Sequence, residues 1–228
     1  MQSILYIALI IVLFISFLAQ SKVKRTFAKY SSLPASSNRY ADEVAREMIL
    51  RYGNELIPVE PVAGTLTDHY DPQNGIVHLS EGVYRSSSVS ALAVAAHEIG
   101  HVMQHQSGYT LLELRNKILP VASLGSSVAP IIVIVGLLFG FRPLCYIGVI
   151  LFGAVFLFQL VTLPMELNAS KRGLTMLKEG EYIADEQMPQ AKAVLRAAAM
   201  TYVLATIGAL ISFLRLILIV GGGSRRRD

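Results

Sequence analysis

ILPVASLGSSVAPIIVIVGLLFGFRPLCYIGVILFGAVFLFQLVTLPM, residues 118–165, contains a single charged side chain, Arg142. A membrane-spanning helix needs about 20 apolar residues, and this stretch holds two such runs joined at Arg142-Pro143. It therefore predicts a helical hairpin that crosses a bilayer out and back. Two further runs meet the same test or nearly do. One extends from Ile4 to Ala19, and the other from Ala197 to Val220, broken only by Arg215. The long stem of that arginine lets its charge snorkel to an interface. Composition agrees: of the 228 residues 53% are hydrophobic and only 16% charged, against about 25% charged in an ordinary soluble domain. The mean hydropathy is +0.51.

The N-terminal run lacks a basic region ahead of its apolar core, and Leu18-Ala19-Gln20-Ser21-Lys22 is a poor cleavage context, so it reads as an uncleaved anchor. Lys22, Lys24, Arg25 and Lys29 follow at once, which by the positive-inside rule leaves the next segment in the cytoplasm. The hairpin returns Glu166, Lys171 and Arg172 to the same side. Arg225, Arg226 and Arg227 then fall outside, against the rule, in a glycine-rich tail expected to fray. The single cysteine, Cys145, excludes an internal disulfide and a thiolate metal cluster. The formal charge of +4 comes largely from juxtamembrane Lys and Arg, which suit anionic lipid headgroups. No basic stripe with interleaved aromatics is present, so nucleic acid is not an expected partner.

About a hundred residues of ordinary globular character separate the first span from the hairpin. Ser36-Ser37-Asn38 precede Asp42-Glu43, and Ala41, Ala45, Met48 and Tyr52 recur at helical spacing until Gly53, which predicts a capped amphipathic helix. Thr65 to Tyr70 and Ile76 to Ser80 flank the turn-rich Asp71-Pro72-Gln73-Asn74-Gly75, the pattern of an antiparallel hairpin. Such a hairpin beside a cleft can hold an extended peptide by strand addition. Ser86-Ser87-Ser88 can cap a further helix, whose face Val89, Leu92, Ala93, Ala96 leads into His97-Glu98-Ile99-Gly100-His101.

That pentapeptide carries the chemistry. Residues four apart on a helix lie one above the other, so His97 and His101 can grip one Zn²⁺ together. Glu98 projects beside them without having to bind, and can take a proton from an attacking water. His105 continues the face one turn on. A straight helix carries it too far from His97 to share an ion, so it reads as a hydrogen-bonded residue at the site's margin.

A third ligand is needed. The arrangement with a nearby third histidine is excluded, because Gln104 stands where its glycine belongs and Ser107 where its histidine belongs. A glutamate on a second helix is the alternative. Glu166 opens Glu166-Leu167-Asn168-Ala169-Ser170 as the third apolar run ends, and it shares a helical face with Ser170, so one can bind metal while the other steadies a histidine. Glu181 to Asp185 has the same spacing but follows Gly180 in a charged stretch and reads more simply as a solvated linker. A glutamate that merely caps a helix after the membrane is the bland reading of Glu166.

Asp68-His69-Tyr70-Asp71-Pro72, Leu79-Ser80 with Val83-Tyr84, Ala95-Ala96-His97-Glu98-x-Gly100-His101 with Gln104, Glu166-x-Asn168-Ala169-Ser170, and Ala197-Ala198-Ala199-x-Thr201-Tyr202 together resemble the YugP-like membrane zinc metallopeptidases of bacteria. The resemblance covers nearly the whole chain. This family is distantly similar to the HtpX-type membrane proteases. Carried over by position, the resemblance implies one Zn²⁺ per chain held by His97, His101 and Glu166, with Glu98 as the catalytic base. Ser170 replaces a supporting aspartate, for which it is a weaker partner, and Asn168 stands beside it. His69 and Tyr70 are candidates for contacting the oxyanion or substrate.

The expected fold is mainly α: a helical integral membrane protein with about four transmembrane helices and a small α+β zincin-like metalloprotease domain containing a β-hairpin. Transmembrane helices fall at 1–20, 118–141, 143–165 and 197–220. The protease domain is assembled from 21–117 and 166–196, and 221–228 forms a basic tail. The expected function is a zinc-dependent endopeptidase of the cell membrane, with its active site on the cytoplasmic face and a membrane-associated polypeptide as substrate. An intramembrane protease is disfavoured because His97 to Tyr109 is too polar to span and no Asp-Gly partner occurs in the later spans. A metal-binding scaffold without activity would not require Glu98.

Overall fold

A computed structural model describes residues 2–222, so the basic part of the tail, with Arg225, Arg226 and Arg227, lies outside the described residues. Helix α1 covers Gln2–Ser31 and α2 Ala41–Tyr52. Strands β1 (Val59–Val62), β2 (His69–Asp71) and β3 (Ile76–Ser80) follow, then α3 (Glu81–Tyr84), α4 (Val89–Gln106), α5 (Thr110–Leu138), α6 (Arg142–Glu179) and α7 (Met188–Gly222). Four of these helices, α1, α5, α6 and α7, are long and apolar enough to cross a membrane. The molecule is mainly α with one small sheet, and its contacts divide it into two compact units.

The first unit comprises the described parts of 1–18, 113–164 and 201–228. Its apolar side chains face outward: Ile4, Ile10 and Phe17 of α1 are 68%, 65% and 66% exposed, which water would penalise and lipid would not. Helices α5 and α6 form the expected hairpin. The chain reverses at Gly140, whose φ of +66° suits glycine, and the Phe141 amide donates to Gly136 O at 2.8 Å. Pro143 sits in the first turn of α6, where its missing N–H is not needed. Small residues let the two backbones approach, since a Cβ on Gly125 would lie 2.5 Å from Leu151 O.

The second unit comprises 19–112 and 165–200. Its centre is α4, whose Leu92, Ala95, Ala96, Ile99 and Val102 are fully buried among Val44, Ala45 and Met48 of α2 and Val77 and Leu79 of β3. The sheet order is β1-β3-β2. The β2–β3 pair is the expected antiparallel hairpin, with Tyr70 opposite Val77. Asp71 closes its turn by accepting from the Gln73 and Asn74 amides, and Gly75 takes a φ of +65°. Strand β1, which the sequence pattern did not announce, runs parallel to β3. Arg46 ties this sheet to α2 and α3 by donating to Asp42, Val59 O and the Tyr84 hydroxyl at 2.6, 2.9 and 2.9 Å.

Two expectations change and one disfavoured alternative is excluded. The Ser36-Ser37-Asn38 group does not cap α2: the N-cap is Tyr40, with no side-chain bond, because the Ser36 amide is taken by Gln187 and the Ala41 amide by Ser86 O. The segment around Glu181 is more than a solvated linker, since Tyr182 and Ile183 are buried in the core and the Tyr182 hydroxyl donates to Glu47 at 2.9 Å. Glu166 is not a helix cap, because α6 continues without a break from Arg142 to Glu179.

Candidate metal centre

Ser88 starts α4 as expected, its hydroxyl accepting from the Ala91 amide at 3.2 Å. Two turns further on, α4 presents His97, Glu98 and His101. It meets α6 almost backbone to backbone: a Cβ on Gly100 would collide with Ala169 O, and one on Gly173 would stand 2.6 Å from Ala96 O. This crossing brings Glu166 and Ser170 against the two histidines.

Glu166 Oε2 lies 3.3 Å from His97 Nε2 and 3.6 Å from His101 Nε2. Those separations are too long for good hydrogen bonds, and Oε2 is a buried oxygen without a hydrogen-bond partner. They match a shared ion better, since two ligands about 2.0–2.1 Å from a tetrahedral zinc are about 3.4 Å apart. All three donor atoms fall within 4.8 Å of one another. Two imidazoles with one carboxylate fit a zinc site that keeps a position open for chemistry.

The far side of each imidazole is also occupied. His97 Nδ1 is 3.0 Å from the Ser170 hydroxyl, and His101 Nδ1 is 3.0 Å from Gln104 Oε1. Gln104 is fully buried, and its Nε2 donates to Met165 O at 2.8 Å and to Asn168 Oδ1 at 3.0 Å. Because the amide nitrogen is committed to two acceptors, Oε1 must face His101 and accept from Nδ1–H. That fixes the tautomer whose Nε2 lone pair points at the metal position. Asn168 is in turn held by Arg172, whose Nε donates to Oδ1 at 3.0 Å.

The electrostatic surroundings favour a cation. Burial pushes the Glu98 carboxyl above its ordinary range, opposed by His97 and His101 and reinforced by Asp68 and Glu166. Burial alone would lower the His101 pKa, but Glu166 and Glu98 outweigh it and raise it. Asp68, also pushed up by burial, accepts from the Ser80 amide at 2.7 Å and the Ser80 hydroxyl at 2.9 Å. Glu98 thus feels two further carboxyl groups, Asp68 and Glu166, beside the two imidazoles.

Of the expected site residues, the structure brings together His97, His101, Glu166, Glu98 and Ser170, with Asn168 reaching the site through Gln104. Tyr70 and His69 have partners outside the three ligands. The Tyr70 hydroxyl bonds to His105 Nδ1 at 2.6 Å, while His69 donates to Thr67 O at 2.8 Å and stacks on His78. His105 is thereby the hydrogen-bonded marginal residue its position implied. Gln104 and Asp68 received no role from the sequence. The signal for Gln104 was its i+3 spacing from His101 on one helical face.

A family model described as "Putative neutral zinc metallopeptidase" matches residues 5–221. The chain is 47% identical over 209 residues to "Putative membrane protease YugP" of Bacillus subtilis (strain 168), which covers 92% of this chain and 93% of that protein. No solved structure matches the chain.

Proposed function

The chain belongs to the neutral zinc metallopeptidase family, and from that premise we propose that it is a membrane-anchored, zinc-dependent endopeptidase acting on membrane-associated polypeptides from the cytoplasmic face. The observation that carries this reading is the convergence of His97 Nε2 and His101 Nε2 on the buried Glu166 Oε2. His97, His101 and Glu166 would hold the metal. Zinc held there would supply Lewis acidity, to polarise a carbonyl oxygen and acidify water.

The protein's own groups do the rest. Gln104 and Ser170 keep both Nε2 atoms aimed at the metal position. Glu98, whose carboxyl burial raises above its ordinary range, accepts the proton of the attacking water and returns it to the leaving amine. Glu98 is shielded from bulk water, being only 7% exposed. Placement beside a bilayer suits the removal of damaged membrane proteins, the biological role that we infer by analogy.

The test is Glu98→Gln, assayed on a quenched fluorescent peptide library with the full chain in detergent. The variant should retain one zinc per chain while cleavage falls by about 10²–10⁴-fold, the range for a lost acid–base group. Cleavage that persists in Glu98→Gln would remove this carboxylate from the reaction. Zinc binding without any cleavage by the unaltered chain would favour a metal-binding scaffold.

A further inference from the structure

Within the second unit, α6 and α7 enclose a groove of about 920 Å³ whose composition is divided between floor and rim. The floor is apolar, built from Leu174 of α6 and Met188 and Leu195 of α7, with Leu167 exposed at one end. The rim carries the exposed cations Lys171, Lys178, Lys192 and Arg196. Its one acid, Asp185, is engaged by Lys178 at 3.6 Å. Lys171, Lys192 and Arg196 have no ion-pair partner among the described residues, so three positive charges border an apolar floor without internal compensation. Ser170, which steadies His97, stands in the wall. The groove and the metal centre thus share one wall residue, Ser170, which meets His97 on its Nδ1 side.

We propose that this groove binds polypeptide segments that combine apolar side chains with acidic ones, and that it selects the substrate; the inference rests on the peptidase reading above. Leu167 to Lys178 spans about 16 Å of α6 at about 1.5 Å per residue. That length accommodates about five residues of extended peptide. The distribution of charge decides between occupants. Lys171 and Lys178 are separated by about 10 Å along the helix, and Lys192 and Arg196 by about 6 Å. A single lipid phosphate can approach only one end of such a row, whereas carboxylates spaced along a peptide can meet several cations while the intervening apolar side chains cover the floor.

The test measures binding directly, by fluorescence anisotropy, with the full-length zinc-loaded Glu98→Gln chain in a zwitterionic detergent. Two labelled peptides share one apolar core, flanked by glutamates in the first and by lysines in the second. Exposed ion pairs are weak singly, so three together should favour the glutamate peptide by about tenfold at low salt, with the preference fading as salt rises. Lys171→Glu, Lys192→Glu and Arg196→Glu combined should reverse the preference, and Leu174→Asn should weaken the glutamate peptide several-fold. Equal affinities, or a preference that survives the triple reversal, would overturn the proposal. So would failure of both peptides to bind while a fluorescent phosphatidylglycerol binds and is lost on triple reversal, which would make the occupant a lipid. Selective binding with no cleavage by the unaltered protein would leave the groove assignment standing and defeat the peptidase reading alone.

Discussion

Gln104 has three polar contacts, and each constrains the next: Met165 O and Asn168 Oδ1 hold its nitrogen, so its oxygen holds His101. Removing a partner that orients a metal-ligating histidine typically costs about 10–100-fold in metal affinity. Gln104→Ala should therefore weaken zinc by that much, and Ser170→Ala should do so by less, since a hydroxyl orients an imidazole less rigidly than a locked amide. Glu166→Gln should lose zinc almost entirely. Glu181→Gln should leave it unchanged, because Glu181 is exposed in a turn at φ +54°. Competition with a chromophoric chelator reads all four; loss of metal from Glu181→Gln with retention in Glu166→Gln would move the third ligand off α6 to the turn that follows it. At this scale the sequence was readable where spacing alone defines a site, as for His97, Glu98 and His101. It assigned no role to Gln104 or Asp68 because spacing cannot tell which partner on another element a side chain will meet.

Between elements, the site depends on how closely α4 and α6 approach. Gly100 and Gly173 allow this by having no Cβ, and the atoms they would strike are backbone, which cannot swing aside. Gly173→Ala should cost about 1–3 kcal/mol, the usual range for an overpacked contact. By pushing Glu166 away from α4, it should also lower zinc affinity. Gly82→Ala is the control, since its Cβ would meet nothing closer than 3.7 Å and the expected change is within about 0.5 kcal/mol. Thermal unfolding and metal titration of both variants check this; unaltered zinc binding in Gly173→Ala would show that the crossing does not set the site. Elements whose patterns carry their own periodicity, such as α2, α4 and the β2–β3 hairpin, were legible. Strand β1 was not, since Val59-Glu60-Pro61-Val62 contains a proline, tolerated here only because β1 lies at a sheet edge. The cap of α2 was misread because the serines' apparent role is filled by the backbone of the distant Ser86.

For the whole molecule, the spans were the most legible part, because lipid forces every backbone hydrogen bond inside a helix and so writes the crossing into composition. Orientation is a separate matter, set by the basic residues flanking the spans. Lys22, Lys24, Arg25 and Lys29 after the first span argue that the chain there is cytoplasmic, and α6 must then carry Lys171 back to that side from an external Arg142. The native Cys145 is 2% exposed, so replacing it with alanine gives a silent background for added cysteines. In that background a membrane-impermeant maleimide applied to intact cells should label Phe141→Cys, whose parent side chain is 57% exposed at the hairpin tip. It should label Lys171→Cys only after the cells are permeabilised. Glu166 precedes Lys171 by five residues on one unbroken helix, about 7.5 Å of rise, so the side that reports Lys171 also reports the metal centre. Labelling in the opposite pattern would put the centre outside the cell, and soluble or exported polypeptides would then replace membrane-associated cytoplasmic ones as its substrates.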